Sequence, residues 1–550
     1  MITRLFEPTD EQRAAIEYAG SMVVTARPGS GKTAVVSGKI RTMLPSLRDY
    51  QGVVAISYTN KASDELEQRC KVGAVDTKRS FFGTIDEFCI KEIVRPFASH
   101  VFERRSDLRT VKAQELPAPL LALLPHKLIA EARVEDTSRF LPFLRACHAQ
   151  GVIVLEAVGM LSYFIINESA ACGRYIRAKY AAVFVDEYQD SGYFQHCLFV
   201  ELKERGLCAV AVGDADQSIF QFARKDPAHL ISLTRPESGF KPFSLTVNHR
   251  SHPSITAYAR RLLDPNALYT ADPGCQVYRV TVPGDQHAIA QWLGLNILAT
   301  TANFALPSLD RVGVLCATSH TARIVADHIG ISHRLHEEGP FSASPSHEAN
   351  LFAELLAFRF DSRRNAQDVI QRHARPGLSS ANERALRARI FQCRQSTIEA
   401  LHKCLCHTTE AISGHAVSVG AAEQLREVCA NANALRWFLP PLPDQVQILT
   451  LHKSKGLEFD IVYHLDLYDW ILPRRKAVDG VWDPVFENEQ QCLNLHYVGI
   501  TRAVKACVLV SSTQRINAAG QLKVAKPSQF FGRNGVVPQL LRYVPPTAPG

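Results

Sequence analysis

A chain of 550 residues is too long for one compact core, and at roughly 150 residues per domain it implies about four. Hydrophobic residues at 46% and charged residues at 21% exclude a fibrous or wholly disordered polypeptide. Lys and Arg number 62 against 54 Asp and Glu, and the resulting +8 permits a nucleic-acid partner without requiring one.

The first residues, MITRLFEPTDEQ, carry no basic-then-apolar leader, and no run reaches the roughly 20 apolar residues that span a bilayer. A soluble, cytoplasmic protein with no membrane partner is expected. Ser21 to Ala26 (SMVVTA) reads as a strand, RPGSGKT as a loop and AVVSGKIRTML as a helix. A second unit follows, VVAISYT (53 to 59) as strand and NKASDELEQRC as helix. Further strands are expected at AAVFVDE (181 to 187), LCAVAVGD (207 to 214) and FSLTVN (243 to 248). This alternation predicts an α/β domain around a parallel sheet. Between 96 and 178 the spacing turns helical with no strand signal, as in an insertion.

A second α/β half begins near residue 251, with strands at 275 to 282, 310 to 317, 446 to 452, 459 to 467 and 506 to 512. The interval 340 to 440 again reads as helical. The expected division is 1–95 with 179–250, the first insertion 96–178, then 251–339 with 441–526, the second insertion 340–440, and a Gly- and Pro-rich flexible tail over 527–550. No repeat of solenoid length is present.

Fourteen scattered cysteines in a reducing compartment point to free, mostly buried thiols. The cluster His402, Cys404, Cys406 and His407, with Cys393 and Cys429 on either side, lacks the paired spacing of a structural zinc site. A helical segment is the simpler reading.

The stretch Ala26-Arg27-Pro28-Gly29-Ser30-Gly31-Lys32-Thr33 approaches the phosphate-binding pattern G-x-x-x-x-G-K-[ST], with Ala26 in place of the first Gly. Backbone N–H groups of such a loop face the phosphates, Lys32 reaches the β and γ oxygens, and Thr33 offers a hydroxyl to Mg²⁺. A preceding strand and a following helix separate it from a bare Gly-rich turn. Phosphoryl transfer to water also needs a carboxylate for the metal and a group to orient the water. Asp186 and Glu187, at the end of an apolar strand in VFVDEYQD, fit those tasks as metal holder and general base.

The order of motifs resembles the UvrD/Rep-like branch of superfamily 1 DNA helicases over residues 9 to about 512. Thr9 to Gln12 is similar to the Q motif, Ala26 to Thr33 to motif I, and Ser57 to Ala62 to motif Ia. Asp186 to Asp190 is similar to motif II, Gly213 to Ile219 to motif III, and Asn248 to Ser251 to motif IV. Leu451 to Phe459 and Tyr497 to Ala503 are similar to motifs V and VI. The resemblance implies two tandem RecA-like P-loop domains, each with a helical insertion, and ATP and Mg²⁺ in the cleft between them. It also implies that Gln12, the loop Ala26 to Thr33, His249, Gly456 and Glu458 hold the nucleotide. Gln217 would sense the γ-phosphate, and Arg250 and Arg502 would stabilise charge on the transferred group, an effect worth roughly 10³ to 10⁵ in rate. Tyr58, Thr59, Asn60, Thr84, Phe222 and His452 occupy the positions that contact single-stranded DNA, and 3-prime to 5-prime travel is implied.

Departures from the family pattern carry their own expectations. Ala34 and His249 stand where an Arg and a Tyr sandwich the base, which predicts weaker base stacking and a raised KM for ATP. Asp86 and Glu87 in motif Ib are expected to face the DNA path and repel phosphate, and Phe222-Ala223 replaces a Trp-Arg pair, so a weaker grip is expected. The second insertion is short, and its size is like that of the helicase-like component of Gabija-type antiphage systems, which accompanies an OLD-family nuclease. A translocating helicase and a partner-dependent ATPase subunit beside a nuclease are therefore both expected readings. A binding module without turnover fits poorly with a complete set of catalytic positions.

Overall fold

The runs MVVTA, GVVAI, YAAVFV and CAVAVG are apolar on both faces, so they need cover on both sides, which parallel pairing with crossover helices supplies. The computed structural model describes residues 7–103, 108–125, 128–219, 225–269, 274–342, 346–374, 378–476, 485–517 and 519–544. It arranges the first half as a six-stranded sheet in the spatial order Phe81–Gly83, Gly52–Ile56, Tyr180–Val185, Cys208–Gly213, Met22–Ala26 and Lys241–Leu245. Every neighbouring pair is parallel. All carboxyl ends therefore share one edge, where the P-loop, Ser57, Asp186, Asp214 and Thr246 emerge together.

The second half is a seven-stranded parallel sheet in the order His333–Leu335, Val446–Thr450, Val312–Cys316, Phe459–His464, Ala503–Ser512, Val277–Val282 and Arg542–Tyr543. The two sheets are the tandem RecA-like arrangement that the motif order implied. Phe81–Gly83, His333–Leu335 and Arg542–Tyr543 escaped the sequence reading, because runs of two or three residues are too short to show a pattern.

The first insertion is mainly helical, with Thr137–Ala149, Val158–Glu168 and Ala170–Lys179, and Phe140, Phe143, Ile165 and Ile166 join Val54 and Val183 in one apolar core. It also holds a short parallel pair, Arg109–Val111 with Val152–Val154, in an interval expected to lack strands. The second insertion packs the helices His347–Phe360, Ala366–His373, Ser380–Gln395, Ile398–Ser413 and Val419–Ala430 around its own core of Phe352, Leu355, Leu356, Ile390, Leu405 and Leu425. Cys393 and Cys404 meet there at 3.6 Å between sulfurs, and Cys406 lies 3.8 Å from His402 Nε2. Among the described residues no group of three or more His, Cys, Asp or Glu side chains could hold a metal, and no helix is long and apolar enough to cross a membrane.

The expected tail is not free over its described part. Residues 527–544 wrap the second sheet: Phe530 is buried and stacks on His496 at 5.6 Å between centroids, and Arg542–Tyr543 pairs with Val277–Val282. Gly and Pro here shape turns that hug a neighbour. A Cβ on Gly535 would lie 1.8 Å from the Arg261 carbonyl oxygen. Phe530→Ala is expected to cost the second half about 3 kcal/mol, as other buried Phe truncations do, measured as a shift in urea-unfolding free energy.

Candidate nucleotide site and single-strand face

The P-loop leaves the strand Met22–Ala26 and enters the helix Lys32–Met43 through two residues with left-handed backbone, Gly29 at φ +73° and Gly31 at φ +82°. Side chains are disfavoured there, which accounts for both glycines. The loop is held from behind. The Ser30 hydroxyl donates to the Arg27 carbonyl at 2.7 Å, the Asn248 amide to the Pro28 carbonyl at 2.8 Å, and the His249 N–H to the Gly29 carbonyl at 2.8 Å. Gln12 is buried, its Nε2 donating to the Ser30 carbonyl at 2.9 Å and its Oε1 accepting from the Thr9 N–H at 2.9 Å. The geometry makes Gln12 a brace of the loop, with one N–H and one lone pair left for a base.

Lys32 Nζ is buried with no hydrogen-bond partner among the described residues, 3.8 Å from Glu187 Oε1. An ammonium so placed fits the phosphate oxygens of a nucleotide. The Thr33 hydroxyl donates to Asp186 Oδ2 at 3.3 Å, which sets two hard oxygen donors side by side, as Mg²⁺ requires. Burial and the neighbouring Glu187 push the Asp186 carboxyl up from its ordinary range. Burial acts on Glu187 in the same sense, but Lys32, Lys455, the Gln189 amide at 2.5 Å and Arg502 outweigh it and hold that carboxylate low. Glu187 itself takes left-handed backbone, φ +53°, turning its side chain off the strand axis.

Asn248 to His252 is the crossing between the halves. Asn248 and His249 bind the P-loop, while the Ser251 hydroxyl donates to the Ala503 carbonyl at 2.7 Å and the His252 N–H to the Val504 carbonyl at 2.8 Å. Between them, Arg250 pairs with Glu458 and its Cβ lies 2.8 Å from where a Cβ on Gly29 would stand. Arg502 is 3% exposed and donates to Gln217 Oε1 at 2.9 Å and to the Val498 carbonyl at 3.1 Å. Burial, with Arg250 nearby, pushes Arg502 down to about 10, so it stays cationic at neutral pH. Gln217 in turn donates to Asp214 Oδ2 at 2.8 Å. Gly456 has left-handed backbone, φ +81°, in the same loop as Glu458. His249 is exposed, and Ala34 sits on the first turn of the P-loop helix.

On the candidate single-strand face, Tyr58 is 40% exposed at the mouth of a recess lined by Asp186, Glu187 and Asp190. Thr59 and Thr84 are helix N-caps, accepting from the Ala62 and Glu87 N–H groups at 3.2 and 3.3 Å. Asn60 opens the helix that Thr59 caps, its side chain outside the described residues, as is Phe222. His452 is half-buried and shares a tight turn with Lys455. Asp86 and Glu87, expected to repel phosphate, are each held by a local hydrogen bond. Asp86 is half-buried, its carboxyl pushed up by desolvation with Lys225 close by, and accepts from the Gln195 amide at 3.3 Å. Glu87 reaches back to the Thr84 N–H at 3.1 Å in a capping box, so both acids are engaged locally.

Sequence reasoning missed Asn248 and Lys455 as site residues. Asn248 also accepts from the Arg250 and Ser251 N–H groups at 2.9 and 2.8 Å, and its position directly before His249 and Arg250 was the available signal. Lys455 binds Asp190 at 2.5 Å across the seam, a contact that residue spacing does not reveal.

Residues 12–223 match the model of an AAA domain, and residues 377–514 that of a UvrD-like helicase C-terminal domain. The chain is 28% identical over 251 residues to Gabija protein GajB of Bacillus cereus (strain VD045), a match covering 44% of this chain and 47% of that protein, about half its length. It is 24% identical over 591 aligned positions to ATP-dependent DNA helicase UvrD2 of Mycobacterium tuberculosis, covering 96% of this chain and 81% of the relative. Putative ATP-dependent DNA helicase YjcD of Bacillus subtilis (strain 168) is 22% identical over 630 positions, covering 95% and 80%. With two parallel sheets meeting at a P-loop seam, both domain models in chain order and relatives aligned along nearly its whole length, the chain belongs to the UvrD-like superfamily 1 helicases, which hydrolyse ATP.

Proposed function

We propose that this protein is a DNA-stimulated ATPase motor that moves 3-prime to 5-prime on single-stranded DNA. The observation that carries the reading is the array at the seam, where Lys32 and Glu187 from the first half face Arg502 from the second. Lys32 and the P-loop N–H groups bind the ATP phosphates, and Thr33 and Asp186 hold Mg²⁺, which neutralises phosphate charge when bound. Glu187, kept ionised by the surrounding cations, orients the attacking water and accepts its proton. Arg250 and Arg502 stabilise the charge that develops on the γ-phosphoryl group, and Gln217 ties Arg502 to the first half. Gln12, His249, Gly456 and Glu458 border the nucleotide. Tyr58, Thr59, Asn60, Thr84, Phe222 and His452 line the strand path, where stacking and backbone contacts tolerate any sequence.

A second reading, an ATPase subunit working beside a nuclease in phage defence, is supported by the likeness to Gabija protein GajB. Strand displacement by the purified chain alone favours the motor; displacement only with a co-purified nuclease favours the second reading.

Glu187→Gln is expected to retain ATP binding and lose at least about 100-fold in kcat, the scale of a lost general base. Substantial remaining turnover would mean that another group orients the water. Asn248→Ala frees the Pro28 carbonyl and is expected to raise the KM for ATP about tenfold, one charge-assisted or buried hydrogen bond's worth, with a smaller effect on kcat. The small Ala34 and exposed His249 lead to a wild-type KM above that of base-sandwiching relatives, and low-micromolar saturation in an ATP titration would contradict this. Polarity is read by displacing streptavidin from oligonucleotides biotinylated at either end: faster release from the 5-prime end is expected.

A further inference from the structure

Between the candidate nucleotide site and the candidate single-strand face lies a buried ion pair, one member of which, Lys455, also adds to the positive charge around Glu187. Lys455 Nζ stands 2.5 Å from Asp190 Oδ2 and donates to the Gln217 carbonyl at 2.8 Å. The two side chains are 8% and 0% exposed, and they come from opposite halves of the molecule. On the nucleotide side, Asp190 closes the turn that begins at Glu187, its N–H donating to the Glu187 carbonyl at 3.0 Å, and Gln217 holds Arg502. On the strand side, Asp190 lines the same recess as Tyr58, and the Lys455 N–H donates to the His452 carbonyl at 3.4 Å.

Resting on the motor reading above, we infer that the Asp190–Lys455 pair is the positioning device through which a strand lying over Tyr58 and His452 sets Glu187 and Gln217 for hydrolysis. A buried pair is strongly favoured when its geometry is good and strongly disfavoured when it is parted, so it has two arrangements and little between. Displacement of the turn from Leu451 to Glu458, or of the Glu187 to Asp190 turn that shares a recess with Tyr58, moves one partner against the other. The same movement carries the Gln217 carbonyl, and with it the contact to Arg502. Neither residue touches the reacting atoms in this scheme; both act by placing those that do.

The test is steady-state ATP hydrolysis by the full chain with and without an oligo-dT strand, for wild type, Lys455→Met, Lys455→Arg and Asp190→Asn. Fluorescence anisotropy gives the affinity for the strand, and thermal melting reports folding. Lys455→Met and Asp190→Asn are expected to lower the ratio of stimulated to unstimulated kcat about tenfold, within the usual range of coupling between sites. Strand affinity and the KM for ATP should shift far less, and Lys455→Arg should recover most of the ratio. Equal loss of stimulated and unstimulated rates would overturn the inference in favour of a purely chemical role. Loss of strand affinity in step with stimulation would make the pair a DNA contact, and absence of cooperative melting in all three variants would make it a structural clamp; either result overturns it. A wild-type chain that oligo-dT does not stimulate removes the motor reading itself, before any variant is compared.

Discussion

Charge buried at a seam between two sheets is the constraint on which the rest of the molecule depends. Lys32, Asp190, Lys455 and Arg502 are largely withdrawn from water and Glu187 partly so, and each would be costly without an opposite charge or a hydrogen bond. Lys32 and Glu187 meet within the first half, but Asp190 meets Lys455 and Gln217 meets Arg502 across the two, so neither half alone satisfies the set. The apolar cores beneath each sheet supply the bulk of stability, with Ile219 of the first half seated in the core of the second, but most of that apolar surface does not depend on the register in which the sheets face each other. The polar seam sets that register, because an ammonium or guanidinium displaced by a few ångströms loses its neutralising group.

Within that seam the positions of unlike charge explain how two adjacent carboxylates are driven apart. Asp186 lies deep against the Thr33 hydroxyl and is raised by burial and by its neighbour, whereas Glu187 is surrounded by Lys32, Lys455 and Arg502 and is lowered. A metal-holding carboxylate and a water-orienting base need different surroundings, and consecutive residues obtain them because Glu187 leaves the strand in a left-handed turn.

Much of this was legible in the chain itself. Continuous β-branched runs followed by helical spacing marked the central strands, since strands buried on both faces cannot alternate. Gly29, Gly31, Lys32 and Thr33 betrayed the phosphate loop because its backbone admits few residue types. Edge strands such as His333–Leu335 left no comparable trace, and the Gly- and Pro-rich stretch after Lys526 read as a tail although Phe530 and Leu540 are buried. Composition reports turns without telling whether they face solvent. The hold on Asp86 was out of reach for a related reason: its hydrogen bond with Gln195 depends on a partner more than a hundred positions away in sequence. Lys455 and Asp190 are likewise remote in the chain, and only the fold reveals that they meet.

The strands of one sheet all precede those of the other, so a single stretch of backbone joins the two halves, and it is the stretch from Asn248 to His252. One end of it is fastened to the phosphate loop and the other to the strand that begins beside Arg502. The one covalent link between the halves is thus bolted at each end by hydrogen bonds, so the same five residues that carry the chain across also pin the phosphate loop to the far sheet.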